Sequence, residues 1–229
     1  MVKNRLETCV KSLDDFLEGG FEKDIITTIY GPAGSGKTLL CMHAAISCVK
    51  NGRKVIYVDT EGGFSVERFT QVDEDYDLIL KHVFFLHPTN FEEQKVVFEK
   101  LKNLVTTGKI GLIIVDSISM LYRLEIGQTD KIYETNKLMG TQISYLSEIA
   151  RKKKIPVILT NQVYADFDSK EKDKVKMVGG DLLKYSSKCL IELKKDEKKR
   201  FIRIIKHRSI KDDKEAEFEI VKEGLRFKC

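Results

Sequence analysis

The chain has 229 residues, 42% hydrophobic and 33% charged, with a formal net charge of +5. That length can bury a substantial core, and the mixture is that of a globular protein at the charge-rich end. The apolar runs are strand-sized and Met1–Cys9 carries charges throughout, so neither a membrane-spanning helix nor a secretory leader is expected, and a cytoplasmic location is the default.

The first predicted strand, Ile25–Tyr30, runs into Gly31-Pro32-Ala33-Gly34-Ser35-Gly36-Lys37-Thr38, a complete GxxxxGK[ST] phosphate-binding loop. A helix-like stretch, Leu39–Val49, follows. Strand, loop and helix in that order are what this motif requires. The glycines let the backbone wrap a polyphosphate, so that its N–H groups and the helix N-terminus face the anion. Lys37 is expected to bridge the β- and γ-phosphates, and the Thr38 hydroxyl to ligate Mg2+. A nucleoside triphosphate is therefore the predicted ligand; the alternative is a glycine-rich turn without one. Cys41 and Cys48 share a face of the following helix and read as buried small hydrophobes. The five cysteines form no CxxC pair and the four histidines no HExxH, so redox and zinc chemistry lack support.

The strand Val55–Val58 ends in Asp59-Thr60-Glu61-Gly62-Gly63-Phe64. Glu61 lies one strand over from the phosphate loop, on the same sheet edge, where it can orient and deprotonate an attacking water. The alternative is that it caps the next helix. A strand at Val83–Leu86 and a helix near Phe91–Thr106 follow. Leu112–Val115 is a buried strand that delivers Asp116 to the carboxyl edge, where ligands bind in parallel α/β sheets. There Asp116 is expected to orient Mg2+, directly or through water. A helix near Lys131–Lys153 and a strand at Pro156–Thr160 lead to Thr160-Asn161-Gln162-Val163. The neutral Gln162 amide can report a γ-phosphate to the polar segment Val163–Val178, which reads as a loop.

This alternation predicts an α/β fold, a mostly parallel sheet flanked by helices. Lys188–Leu193, Phe201–Lys206 and Phe218–Val221 read as C-terminal antiparallel strands extending one edge, within a single domain over 1–229. Lys194–Lys214 holds ten Lys/Arg against four Asp/Glu, a surplus that suits a phosphate backbone or, equally, a solvated hairpin.

Gly31–Thr38, Asp59–Gly62, Leu112–Ser117 and Thr160–Val163, in this order and spacing, resemble the ATPase core of the RecA/RadA recombinase family. Ser12-Leu13-Asp14 with Gly19-Gly20 resembles that family's lead-in segment. The resemblance implies a RecA-like fold with ATP and Mg2+ as ligands. Gly31, Pro32, Ala33, Gly34, Ser35, Gly36, Lys37 and Thr38 then cradle the phosphates. Glu61 corresponds to the catalytic carboxylate, Asp116 to the Walker B acid and Gln162 to the γ-phosphate sensor, with Arg68 near the base. It also implies two DNA-contacting loops, about Tyr122–Lys131 and Tyr164–Val178, in which Tyr164 and Phe167 can stack on bases.

The chain departs from the main recombinases in several places. With 30 residues ahead of the phosphate loop, no helix-hairpin-helix domain or Phe-based polymerisation linker is expected. The first loop keeps Arg123 without an arginine–glycine cluster. Tyr185 stands where many relatives carry His, and Lys206-His207-Arg208 replaces an acidic, proline-containing cap. This shortened pattern most resembles the archaeal RadB branch. It implies an ATP- and DNA-binding accessory of recombination and repair, with weak DNA-linked ATPase activity. Its expected partners are single-stranded DNA and the main recombinase or other recombination proteins, and its expected state is a monomer or small oligomer. Lys206 and Arg208 either reach a neighbour's γ-phosphate or solvate a turn. A KaiC-like regulatory ATPase, acting through protein partners without DNA, is the alternative.

Overall fold

In the computed structural model, which describes residues 4–127, 132–165, 175–196 and 199–228, the apolar runs pair side by side into one large sheet. Strands β1 (Arg5–Leu6) and β2 (Phe21–Glu22) form a small antiparallel ribbon around helix α1 (Lys11–Phe16). Next come β3 (Ile26–Tyr30), α2 (Lys37–Lys50), β4 (Lys54–Asp59), α3 (Val66–Val72), α4 (Tyr76–Leu80) and β5 (Val83–Leu86). They are followed by α5 (Phe91–Thr107), β6 (Ile110–Asp116), α6 (Met120–Ile126), α7 (Ile132–Lys153) and β7 (Val157–Asn161). A short hairpin, β8 (Val163–Ala165) with β9 (Val175–Met177), precedes α8 (Gly180–Ser186). The chain ends in β10 (Cys189–Lys195), β11 (Arg200–His207), β12 (Glu215–Val221) and β13 (Gly224–Phe227).

The main sheet has the order β13-β12-β11-β10-β3-β7-β6-β4-β5. The strands from β10 to β5 in that order run parallel, and β10 to β13 form antiparallel pairs, as the sequence led us to expect. Both faces are covered, which is why the central strands are continuously apolar. Val55 and Tyr57 of β4 join the core beneath α2, whereas Ile56 and Val58 join the core beneath α5 and α7. Among the described residues no helix is long and apolar enough to cross a membrane.

Two expectations about loops are corrected. Tyr122–Ile126 belongs to α6 rather than to a loop. Tyr122 is buried against Phe91, and its hydroxyl donates to Asn136 of α7; residues 128–131 of that predicted loop lie outside the described residues. The polar segment is also not loop throughout, because Val163–Ala165 pairs with Val175–Met177. Met177 packs with Tyr30 and Leu190, a contact that no local pattern announces. Residues 166–174, Phe167 among them, lie outside the described residues.

Candidate functional site

Register brings the ends of the parallel strands to one edge: Asp59 is level with Asp116, and Tyr30 with Asn161. The phosphate loop leaves β3 at this edge and ends at Gly36, the N-cap of α2, in a left-handed conformation (φ 108°) that favours glycine. Gly31 is constrained by proximity instead, since a Cβ there would stand 2.3 Å from the Leu193 carbonyl oxygen of β10. The loop thus places the unpaired amides of the α2 N-terminus at the sheet edge, where an anion is favoured. The Ser35 hydroxyl within it is buried and has no hydrogen-bond partner among the described residues.

Lys37 arches back over the loop, its ammonium donating to the carbonyls of Gly31 (2.8 Å) and Pro32 (2.9 Å). Burial pushes its pKa down, and the carboxylates of Glu61 and Asp116 pull it up. The Thr38 hydroxyl donates to Asp116 Oδ2 at 2.8 Å. Tyr57 donates to the same oxygen at 2.8 Å, and Thr160 donates to Oδ1. Three hydroxyls from α2, β4 and β7 therefore hold the Asp116 carboxylate in one orientation. Tyr57 is fully buried, and burial, reinforced by Asp116, drives its phenol pKa well up.

Glu61 stands on a turn built by Asp59, whose carboxylate accepts from the backbone N–H groups of Glu61, Gly63 and Phe64, each at 3.2 Å. The capping alternative for Glu61 fails: Ser65 caps α3, accepting from the Arg68 N–H. Glu61 instead accepts from Gln162 Nε2 at 2.9 Å. Gln162 is tied in turn to the β8–β9 hairpin, because its carbonyl accepts from Val178 N, and Asn161 Nδ2 donates to Val178 O.

Lys37, Thr38, Glu61, Asp116 and Gln162 are thus brought together. Arg68 is placed differently: its guanidinium donates to the carbonyls of Val221 (2.6 Å) and Lys222 (2.9 Å), clasping the β12–β13 turn. Lys206 and Arg208, expected either to reach a neighbour's γ-phosphate or to solvate a turn, are both engaged within the chain. Lys206 donates to the Lys184 and Ser187 carbonyls at the end of α8, and Arg208 pairs with Glu22 and Asp24. Tyr57, Asp59 and Thr160 are the site residues that sequence reasoning assigned no role. The one available signal was a polar group on an otherwise apolar strand, as at Tyr57 in Val55–Val58.

The donor set fits Mg2+, a hard cation that takes oxygen ligands and needs only one or two from the protein when phosphates and water supply the rest. Thr38 and Asp116 offer a hydroxyl and a carboxylate within 2.8 Å of each other. Among the described residues there is no cluster of three or more His, Cys, Asp or Glu that could form a closed metal cage.

The Rad51 family model matches residues 3–227. A protein named "DNA repair and recombination protein RadB" from Methanococcoides burtonii is 40% identical over 227 residues, covering 98% of this chain and 99% of that one. Its namesake from Methanobrevibacter smithii is 39% identical over 221 residues, covering 93% and 92%. A solved structure titled "Crystal structure of the RadB recombinase" is 36% identical, with a TM-score of 0.79 over 96% of this chain and 98% of that one.

Proposed function

Because the chain belongs to the Rad51 family, we propose that it is an ATP-binding, DNA-binding accessory protein of recombination and repair. Its DNA-linked ATPase activity is weak, and it acts as one RecA-like domain. The observation that carries the reading is the meeting, at one sheet edge, of the Thr38–Asp116 pair with the Glu61–Gln162 pair.

Each residue has a role that its present contacts prepare. Lys37 exchanges the Gly31 and Pro32 carbonyls for phosphate oxygens, and the amides of Gly34–Thr38 close around the anion. Thr38 and Asp116 are the residues that hold Mg2+, which supplies neutralisation of the charge that builds up during phosphoryl transfer. Glu61, fixed by the Asp59 turn, takes the proton of a water poised for attack. Gln162 exchanges Glu61 for the γ-phosphate, and its attachment to Val178 carries that exchange to the β8–β9 hairpin. Single-stranded DNA is the proposed nucleic-acid partner, with the main recombinase or other recombination proteins as protein partners, and the chain is a monomer or small oligomer.

The test is binding of single-stranded DNA with and without ATP across a salt series. Affinity that rises with ATP and falls steeply with salt is the expected result. No DNA binding at low salt, together with nucleotide-dependent hexamers, would establish the KaiC-like alternative instead.

A further inference from the structure

The pleat sorts the charges of the C-terminal strands onto two faces. On the face turned away from α2, lysines and glutamates interlock: Lys194 reaches Glu192 and Glu215, Lys199 reaches Glu217, and Lys228 reaches Glu217 and Glu219. Arg203 pairs with Asp213. Among the described residues, Lys194, Lys199, Arg203, Arg208 and Lys214 of the Lys194–Lys214 segment each have a carboxylate partner, so about half of what looked like a basic track is neutralised inside the chain.

The face toward α2 is different. Ile191 and Leu193 of β10, Ile202 and Ile204 of β11 and Phe218 of β12 join the α2 core there, and the same alternation continues outward to Lys195 and Arg200. These two are direct cross-strand partners. Neither has a carboxylate partner among the described residues. Like charges placed directly opposite each other in an antiparallel pair are destabilising unless an anion intervenes.

The two cations also stand over the phosphate loop. Arg200 Nε donates to the Gly34 carbonyl (3.4 Å), and a Cβ on Gly34 would stand 3.6 Å from the Lys195 ammonium. The Nε bond leaves the remaining guanidinium N–H groups of Arg200 free to donate. Phe218 and Ile220 of β12 pack on Gly36, seating the hairpins against the loop.

We propose that Lys195 and Arg200 form a second, cis-supplied cationic wall of the nucleotide site that recognises the terminal phosphate of a bound nucleoside triphosphate. This rests on the phosphate-loop reading above and adds to Lys37 two cations from a distant part of the chain. A nucleic-acid strand is a poorer fit, because a polyanion is held by a run of unneutralised cations, and among the described residues the flanking Lys194 and Lys199 are matched by glutamates.

The experiment is calorimetric titration of a non-hydrolysable ATP analogue and of ADP, each with Mg2+, into the parent, Lys195→Ala/Arg200→Ala and the charge-conserving Lys195→Arg/Arg200→Lys. The alanine variant is expected to lose about tenfold or more in affinity for the analogue and less than about threefold for ADP, while the charge-conserving variant retains the parental ratio. A parent that binds the analogue, with an analogue-to-ADP ratio unchanged by alanine, overturns this inference and leaves the phosphate-loop reading intact. If that unchanged ratio comes with weakened binding of single-stranded DNA, the pair serves nucleic acid instead. A parent that binds neither nucleotide overturns both readings.

Discussion

Gln162 Nε2 donates to Glu61 Oε1 at 2.9 Å, although 101 residues separate the two in the chain. The contact joins the tips of β4 and β7 above the Thr38–Asp116 pair. The carboxylate proposed to take a proton and the amide proposed to detect a phosphate are thus held together in the folded chain.

Glu61→Gln is expected to bind ATP with near-parental affinity, because the loop and the Mg2+ oxygens are untouched, and to lower hydrolysis by about 10²- to 10⁴-fold. Gln162→Ala should also bind ATP, yet lose the ATP dependence of DNA binding. Single-turnover hydrolysis with a parallel DNA titration measures both. Hydrolysis that is unchanged in Glu61→Gln would show that another group activates the water.

Lys37→Ala removes an ammonium that the folded chain keeps in the loop at some desolvation cost. Saturating nucleotide stabilises a binding-competent fold by about 2.7 kcal/mol at a hundredfold excess over Kd. The parent should therefore melt higher with Mg2+ and ATP, whereas the variant should melt at the same temperature with or without them. An equal shift in both would exclude Lys37 from phosphate binding.

Tyr57→Phe removes one of the three hydroxyls on Asp116 and leaves Thr38 and Thr160 in place. The expected loss is about 1 kcal/mol in urea unfolding, with Mg2+-dependent ATP binding retained. Asp116→Ala should cost more, about 1–3 kcal/mol, because the buried Tyr57 hydroxyl is then left without its acceptor, and it should also weaken Mg2+-dependent binding. Equal losses in the two variants would argue against this hierarchy.

His43, buried on α2 with its Nε2 facing Gly224 and without a hydrogen-bond partner among the described residues, has its pKa lowered to about 4, first by burial and then by Arg68. Its folded value lies below its unfolded one, so the stability it contributes is complete above about pH 6.5 and is lost as pH falls toward 4. The loss amounts to about 3 kcal/mol. Denaturant unfolding of the parent and of His43→Leu between pH 7 and pH 4 should show a markedly shallower decline in the variant. Identical slopes would place the pH sensitivity elsewhere.

The phosphate loop, Asp116 and the parallel direction of the central strands were legible because their signals are local. Glycines at fixed offsets, a strand ending in a carboxylate and apolar runs covered on both faces each depend on residues within a few positions of one another. The strand order was not legible: Glu61 was expected one strand over from the phosphate loop, but β7 and β6 stand between β3 and β4. The capping alternative for Glu61 could not be settled that way, since Ser65 lies close enough to compete and only the folded turn shows which residue caps α3. Tyr122 was misread because the helix it belongs to is short and takes its stability from packing on Phe91 and α7, not from its own sequence.

The charge-rich C-terminal segment separates the two kinds of information most clearly. Its composition established a surplus of cations, since charge is a property of each residue alone. Which of them remain uncompensated depended on strand register. Shifting a strand by one residue exchanges its two faces, so the pairing of Lys195 with Arg200, and of Lys194 and Lys199 with glutamates of β12, exists only once the sheet has formed. Asp116 obeys the same logic: the sequence shows a carboxylate at a strand end, but its three hydroxyl donors come from elements 44 to 78 residues away and meet only where parallel strands share an edge.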